Sequence, residues 1–594
     1  MSATGDTRMD KAEVAAVLSE TADLLELTGG NVYEVRAYQN AARAIETLEG
    51  DINDQVREGK LEGVPGLGKT LIARITELVT TGHMEFYENL AATVPPGLRD
   101  MLRVPGLGPK RVRQIYRELG VASLPELREA AETGRIASLS GFGAKSQEKI
   151  LSGLAFLAEH QNKFRYDVAS EDAVPVAEAL RALPQVMRLS IAGSLRRHKE
   201  IVKDVDIVAS ARTDADRPVI MDTLVSLPQV ASITGKGDTK TSVVLKSGIA
   251  LDLRLVTDEE YPYALHHFTG SKEHNVALRT REHAMGVKIN EYGIFRGDEL
   301  IPCRTEEDIY HAFGMEYVPP ELREDRGEIE AALKDELPTL VTEDDLRGIL
   351  HVHSTWSDGQ ATIREMAEAT IALGKEYLGM CDHSQAAAYA HGLTPESVRR
   401  QQEEIDRLNE EFAGRLRILK GTECDILKDG SLDYDEETLA TFDFVVASIH
   451  SHFQLSPEEQ TQRLINAMEN PYCSILGHPT GRILLTRDGY HPDLERVIDR
   501  AGELGVAIEI NADAHRFDLD WRFLRYAAER GVRIPICPDA HSPGGLEFIR
   551  YGVGIARKGW LTAHDVLNTL STDDVLTFFR EQRLRRGAGA TAKR

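Results

Sequence analysis

Gly193-Ser194-Leu195-Arg196-Arg197-His198-Lys199-Glu200 is followed, three residues on, by Asp204-Val205-Asp206-Ile207-Val208. The second stretch reads as a strand. Asp204 and Asp206 then lie two apart and project from one face. Like charges that close repel unless a cation sits between them. Asp252, in Leu251-Asp252-Leu253, offers a third carboxylate from a neighbouring strand. Hard oxygen donors of this kind suit Mg²⁺ or Mn²⁺. Two such ions about 3.5 to 4 Å apart stabilise the attacking and leaving oxygens of an in-line phosphoryl displacement. Gly193, Ser194 and Arg197 then read as a phosphate cradle: close backbone approach, a hydroxyl and a fork-shaped cation. Taken alone, Asp-x-Asp reads more simply as two solvated aspartates on an edge strand. The Gly-Ser-x-Arg-Arg context argues against that.

Around this stretch the pattern is α+β. Strand-like runs cover residues 189–192, 205–208, 242–245 and 250–256, the last two joined by a Lys246-Ser247-Gly248 turn. Upstream, residues 9–27 and 33–48 carry apolar positions at helical spacing, and then a glycine motif repeats. Its copies are Gly63-Val64-Pro65-Gly66-Leu67-Gly68-Lys69, Val104-Pro105-Gly106-Leu107-Gly108-Pro109-Lys110 and the weaker Leu139-Ser140-Gly141-Phe142-Gly143-Ala144-Lys145. Each leads into a helical stretch. A Gly-x-Gly turn exposes backbone N–H groups at a helix start, which can hold a phosphate without reading sequence. One copy is often a plain turn; the repetition, with basic residues after it, favours DNA backbone binding through Gly66, Gly68, Lys69, Gly106, Gly108, Lys110, Gly141 and Gly143.

Downstream, residues 261–320 form a smaller mixed unit. Residues 321–345 read as a charged linker, with Glu321, Glu324, Asp325, Glu328 and Glu330 on solvated faces. From Leu350, short apolar strands alternate with helices, which points to an α/β barrel. This half holds 11 of the 19 histidines. His351-Val352-His353 and Asp358 come first. His383, Glu423, His450, His478 and the Asp539-Ala540-His541 pair follow, each closing an apolar run. Ligands at strand C-termini converge on one end of a barrel. Imidazoles with carboxylates suit Zn²⁺, Mn²⁺ or Fe²⁺, and this many donors imply two or three ions able to activate water. His391, His452, His491, His515 and His564 are assigned no ligand role. Residues 581–594 read as a basic, glycine-rich tail without fixed structure.

The chain has 594 residues, with 42% hydrophobic and 28% charged, so several globular domains are expected. No apolar run approaches the roughly 20 residues that span a bilayer. The five cysteines are scattered, which fits a reducing cytoplasm rather than a disulfide framework. The net charge of −25 opposes nucleic-acid binding unless the basic groups are concentrated locally.

Residues 8–318 resemble family X DNA polymerases. Gly193-Ser194, Asp204-x-Asp206 and Asp252 match that family's nucleotidyltransferase palm. His267-Phe268-Thr269-Gly270-Ser271 is similar to its Tyr-Phe-Thr-Gly-Ser segment, and Asn275, Arg279 and Ile289-Asn290-Glu291-Tyr292 keep its spacing. Residues 346–580 resemble the PHP family of metal-dependent phosphoesterases, with no ligand position substituted. The resemblance implies a bacterial, cytoplasmic, nucleoid-associated monomer that binds gapped or primed duplex DNA and deoxynucleoside triphosphates. It implies Mg²⁺ or Mn²⁺ on Asp204, Asp206 and Asp252, with Asp252 serving the primer hydroxyl, and Zn²⁺ or Mn²⁺ in the PHP half. Ser194 and Arg197 would anchor phosphates; His267, Phe268, Gly270 and Ser271 would line the sugar pocket; Asn275 and Arg279 would face the minor groove.

The expected layout has helical DNA-binding units at 1–85 and 86–160, a palm at 161–260, a thumb-like unit at 261–320, the linker, and the PHP barrel to 580. The expected activities are gap-filling synthesis and 3′→5′ exonucleolysis. The alternatives are a PHP domain that is structural or a small-molecule phosphatase, and a non-catalytic gap-binding scaffold. Two departures stand out. His267 replaces the usual Tyr, and Arg74 stands where some relatives carry a lyase lysine. Arginine stays protonated and cannot form a Schiff base.

Overall fold

The computed structural model describes residues 9, 11–46, 48, 51–64 and 66–587. The chain divides near residue 161 into two compact units. Among the described residues no helix is long and apolar enough to cross a membrane.

The first unit is helical. Val14, Leu18, Ala22 and Leu25 of the helix Lys11–Thr28 pack into one core with Tyr38, Ile75 and Leu78. Leu24 and Leu27 of the same helix join a second core with Met101, Val112, Ile115, Leu127 and Ile150. Two cores thus divide this unit, and the helix Lys11–Thr28 serves both.

In the second unit, the palm is a five-stranded sheet in the order Val186–Ile191, Asp204–Ala211, Ala250–Val256, Lys240–Leu245, Val230–Lys236. Asp204–Ala211 and Ala250–Val256 run parallel, in a register that sets Asp206 opposite Asp252. Helices Tyr166–Arg181 and Arg217–Ser226 supply Val176, Leu180, Ile220 and Leu224 to the core beneath the sheet. The strand Val230–Lys236 escaped the sequence reading because its residues are mostly exposed and lack apolar alternation.

The thumb-like unit does not stop at 320. Its core of Tyr263, Leu278, Ile294, Ile309, Tyr310 and Phe313 continues through Leu322, Ile329, Ala332 and Leu340. The stretch read as a linker is thus part of a packed body. Asp325 and Glu330 are exposed as expected, but Glu321 and Glu328 are buried and the Glu324 side chain is 9% exposed. Their partners lie far along the chain, so local pattern could not reveal them. Glu321 accepts from Arg557 Nε at 2.7 Å. Glu328 meets His274 Nδ1 at 2.6 Å. Glu306 lies between Arg196, at 2.6 Å, and the buried Arg323, also at 2.6 Å.

The C-terminal half is a ring of short parallel strands. Gly348–Val352, Tyr377–Met380 and Arg417–Lys420 pair in that order; Glu423–Asp425, Val446–Ser448, Ile475–Leu476 and Ala507–Ile508 follow; Ile510–Asn511 pairs with Ile536–Cys537. Bridges His383↔Glu423 and Val352↔Ala540 join the segments and close the ring. Leu350, Leu419, Val446, Ile475, Ala507 and Cys537 fill the interior. The helix Thr572–Arg585 plugs one end, with Phe579 stacked on Phe444 at 5.1 Å. This corrects the tail: residues 581–585 are helical, Gln582 is buried, and Arg583 donates to Phe442 O at 2.6 Å. Residues 588–594 lie outside the described residues.

Burial alone would raise the Glu306 carboxyl, but Arg323 and Arg196 hold it down at about 2. Removing one partner of a buried ion pair costs about 3–5 kcal/mol. Glu306→Gln is therefore expected to lower the stability of the whole protein by about 3 kcal/mol at pH 7 in equilibrium denaturation. A depressed folded pKa contributes fully above the ordinary value of 4.5 and fades as pH falls toward about 2. The gap to wild type should narrow across that window; a gap independent of pH would contradict the charge account.

Candidate functional site

The palm site is built by the parallel pair. Asp204 opens its strand at the exposed edge, Asp206 is half-buried, and Asp252 faces Asp206 across the register. Burial first, then Asp204 and Asp252, push the Asp206 carboxyl up to about 6. That is the electrostatic mark of carboxylates short of counter-charge. Lys240 supplies some, its Nζ 2.6 Å from Asp252 Oδ2, while Ser242 Oγ donates to Asp252 Oδ1 at 2.5 Å. The three aspartates do not form one of the tight ligand clusters, with atoms within 4.8 Å of one another, found among the described residues. The all-oxygen donor set nonetheless fits a hard divalent ion.

Gly193 is required where it stands. Its φ is 61°, and a Cβ there would overlap the Asp206 carboxylate. Ser194 follows in a short helix, half-buried. Arg197 departs from expectation. Rather than offering a free guanidinium, it is buried, its Nε donating to Glu324 Oε1 at 3.0 Å and its Nη1 to Thr269 O. His267 and Phe268 end the helix Tyr261–Thr269, with Arg254 over the Phe268 ring at 4.2 Å. Burial lowers the pKa of His267. Gly270 lies 3.2 Å, measured from an added Cβ, from Arg197 Nη1. Ser271 caps the next helix, accepting from His274 N at 3.1 Å. Asn275 donates to His267 O at 3.0 Å, leaving its buried Oδ1 without a partner, and Arg279 is exposed.

The glycine hairpins share one geometry. Gly66, Gly106 and Gly141 have φ of 87°, 80° and 78°, the left-handed region. Gly68, Gly108 and Gly143 cap helices Lys69–Thr81, Pro109–Leu119 and Ala144–His160 with no side chain over the free N–H groups. Nothing lies within 4 Å of a Cβ added at any of the six. Lys69, Lys110 and Lys145 are exposed beside them. The third copy, weaker in sequence, is equivalent in structure.

The barrel site brings its predicted ligands together. Glu423 is central: His478 Nε2 lies 2.9 Å away, His450 Nε2 3.2 Å, His383 Nδ1 3.0 Å and His351 Nε2 3.5 Å. Asp539 Oδ1 is 3.1 Å from His353 Nε2, and Asp358 Oδ1 is 3.5 Å from His541 Nε2 and 3.6 Å from His383 Nε2. His353, Asp358, His383 and His541 form one set with ligand atoms within 4.8 Å; His351, His353 and Asp539 form another; His383, Glu423 and His450 a third. His351 Nε2, His353 Nδ1 and His478 Nδ1 are buried with no hydrogen-bond partner. Buried polar atoms are rarely left so. Together with the donor set they fit metal ions of imidazole preference. Burial first, then His541, depress His353 to about 3, the neutral form a ligand needs. His450 goes the other way, held at about 10 by Glu423 and Asp425 against burial. His351 and Asp539 adopt φ of 63° and 52°, strain of the kind that concentrates at functional sites. Asp358 and His541, at 31% and 34% exposure, line the open side, with Tyr389 beside it.

Sequence reading missed the residues that orient these ligands. Glu509 takes His351 Nδ1 at 2.7 Å and His478 N at 2.8 Å. Asp425 takes His450 Nδ1 at 2.6 Å. Asn511 Nδ2 holds Asp539 Oδ2 at 3.0 Å. Such outer partners fix tautomer and ring direction. The one available signal was a Glu and an Asn inside the apolar run Val506-Ala507-Ile508-Glu509-Ile510-Asn511. Cys537 clusters with His351 and Glu509, but burial pushes its thiol far above the usual range, so it behaves as core.

Comparison with known proteins agrees with this division. Family models match as "Helix-hairpin-helix domain" over residues 9–84, "SAM-like Helix-hairpin-helix tandem" over 98–155, "DNA polymerase beta thumb" over 264–324 and "PHP domain" over 350–513. The DNA polymerase/3′-5′ exonuclease PolX of Bacillus subtilis (strain 168) is 39% identical over 576 residues, covering 96% of this chain and 100% of the relative. Two shorter relatives match a more limited part. A protein described as a probable phosphatase of Caldanaerobacter subterraneus is 35% identical over 186 residues, 29% of this chain and 70% of its own length. Another, of Thermoanaerobacter sp. (strain X514), is 33% identical over 231 residues, 37% of this chain and 89% of its own. The end-to-end match shows the family: this chain belongs to the PolX family, the family X DNA polymerases that carry a C-terminal PHP domain.

Proposed function

We propose that this protein fills short gaps in DNA during repair, adding deoxynucleotides at the palm and trimming 3′ ends at the PHP centre. The observation that carries the reading is that Asp206 faces Asp252 across the palm strands and the barrel gathers its imidazoles and carboxylates, in a chain that aligns along nearly its whole length with a polymerase/exonuclease. Asp204, Asp206 and Asp252 would hold Mg²⁺ or Mn²⁺, whose charge stabilises phosphoryl transfer. Ser194 and Arg197 would anchor the triphosphate, with Arg197 exchanging Glu324 for phosphate. His267, Phe268, Gly270 and Ser271 would shape the sugar pocket, and Asn275 and Arg279 would face the new pair. The hairpin amides and Lys69 and Lys110 would grip backbone phosphates.

In the barrel, His351, His353, Asp358, His383, Glu423, His450, His478, Asp539 and His541 would hold two or three Zn²⁺ or Mn²⁺ ions, which lower the pKa of water for phosphoester hydrolysis. Glu509 and Asp425 keep the His351 and His450 rings turned inward. The open side at Asp358 and His541 admits a strand end. A phosphatase reading of this half is favoured by the probable phosphatases that match part of the chain. It predicts hydrolysis of nitrophenyl phosphate with DNA ends untouched.

Lyase chemistry is not part of the reading. Arg74 is stacked on Phe86 at 3.5 Å, donates to Tyr38 Oη and lies 3.7 Å from Glu34. Its guanidinium fills the place where an amine would be needed.

Three outcomes test this. On a 5′-labelled gapped duplex with Mn²⁺, Asp206→Ala should abolish extension and keep 3′ shortening, while His353→Ala should do the reverse. Both activities failing in one variant would contradict the division. Binding of gapped DNA should weaken at least tenfold between about 50 and 200 mM salt, as counterion release requires; a flat response would remove the phosphate-gripping role of the hairpins. Borohydride treatment with a 5′-deoxyribose-phosphate end should trap no adduct, and an adduct lost in Lys69→Ala would overturn the argument from Arg74.

A further inference from the structure

The segment that follows the Gly193-Ser194 turn is held by the PHP half, residue by residue. The buried Lys558 donates to Arg197 O at 2.9 Å. His198 stacks on Tyr166 at 4.8 Å and packs against Gly554, where a Cβ would overlap its ring. Lys199 Nζ sits 5.3 Å over the Trp521 ring. Glu200 accepts from Trp521 Nε1 at 3.0 Å and Arg522 Nη1 at 2.9 Å. Trp521, Arg522, Gly554 and Lys558 belong to the helices Trp521–Glu529 and Ile549–Lys558 of the barrel.

One carboxylate stands at the centre. Glu324 faces Arg197 Nε at 3.0 Å, Lys558 Nζ at 2.6 Å and Lys199 Nζ at 3.5 Å. Lys558 and Arg197 bond the same oxygen, Oε1. Three cations thus share one negative charge, which leaves a positive surplus beside the Gly193-Ser194 turn. An oxygen already bonded to an ammonium holds a second donor less strongly. Arg197 must surrender that bond to meet a phosphate, and charge-assisted bonds are the costly ones to give up.

We infer that the PHP half is a positioning element for the polymerase site: Lys558 pins the main chain at Arg197 and divides Glu324, so that an incoming triphosphate can claim the Arg197 guanidinium. Lys558 is a positioning residue, acting through Glu324 and Arg197 and touching no substrate. This rests on the palm reading above. It makes the barrel serve synthesis in a way that its own hydrolytic chemistry does not require.

The test is steady-state filling of a one-nucleotide gap by the full chain. Lys558→Met should raise the deoxynucleotide KM about tenfold, within the range of coupled charge pairs, with kcat changed less than about twofold. Its 3′ shortening should stay near wild type, while its melting temperature should fall, because one partner of a buried ion pair is lost. Adding Glu324→Gln to Lys558→Met should bring KM back to within about threefold of wild type, because Arg197 is no longer held. Glu324→Gln alone should not raise KM. An unchanged KM in Lys558→Met, or a KM raised by Glu324→Gln alone, overturns the inference. So does a joint fall of kcat and 3′ shortening, which would make Lys558 merely structural. Wild type that adds no nucleotide at all would instead overturn the palm reading on which the inference rests.

Discussion

Buried carboxylates between residues 306 and 328 hold the second unit together. Glu306 ties Arg196 of the palm to Arg323; Glu321 and Glu324 reach Arg557 and Lys558 of the barrel; Glu328 secures His274 of the thumb-like unit. Each is desolvated; Glu306, Glu321 and Glu324 are kept charged by cations that are buried or half-buried, while Glu328 meets an imidazole whose pKa burial lowers. A carboxylate of this kind has little freedom to change partner without loss. The palm, thumb and barrel are therefore fixed to one another through this seam, which borders the palm site at Arg196 and Arg197.

The two sites differ in donor chemistry. The palm offers oxygens on two adjoining strands, open to solvent at Asp204. The barrel offers imidazoles around a buried glutamate, with ring directions set by Glu509 and Asp425. Hard, weakly held ions suit the first and borderline ions the second. The difference matches the proposed chemistries. Nucleotidyl transfer brings its own phosphate oxygens to the metal, whereas hydrolysis needs a centre complete before substrate arrives.

Much of this was legible in the sequence, for reasons that are local. Asp204 and Asp206 are two apart on a strand, so a shared face followed from alternation. His383, Glu423, His450, His478 and Asp539 each close an apolar run, so their convergence followed from parallel strands. The hairpin glycines repeat, and the first of each pair has the positive φ that the turn demands. The failures are long-range. Glu321 and Glu324 read as solvated because their partners Arg557, Lys558 and Arg197 lie more than a hundred residues away. Arg197 read as a free phosphate ligand because nothing beside it announces Glu324. Glu509 sits inside an apolar run rather than closing it. Gln582 and Arg583 looked like tail because the surfaces that bury them come from residues 442, 474 and 505.

The central claim is that one chain carries two independent metal centres of different kind. Titration of the full protein with Mn²⁺, followed by the resonance of the free ion, addresses it directly. The account predicts two classes of site, a tighter one lost in His353→Ala and a weaker one lost in Asp206→Ala, each variant retaining the other. A single class of site, or the loss of both in either variant, would contradict it.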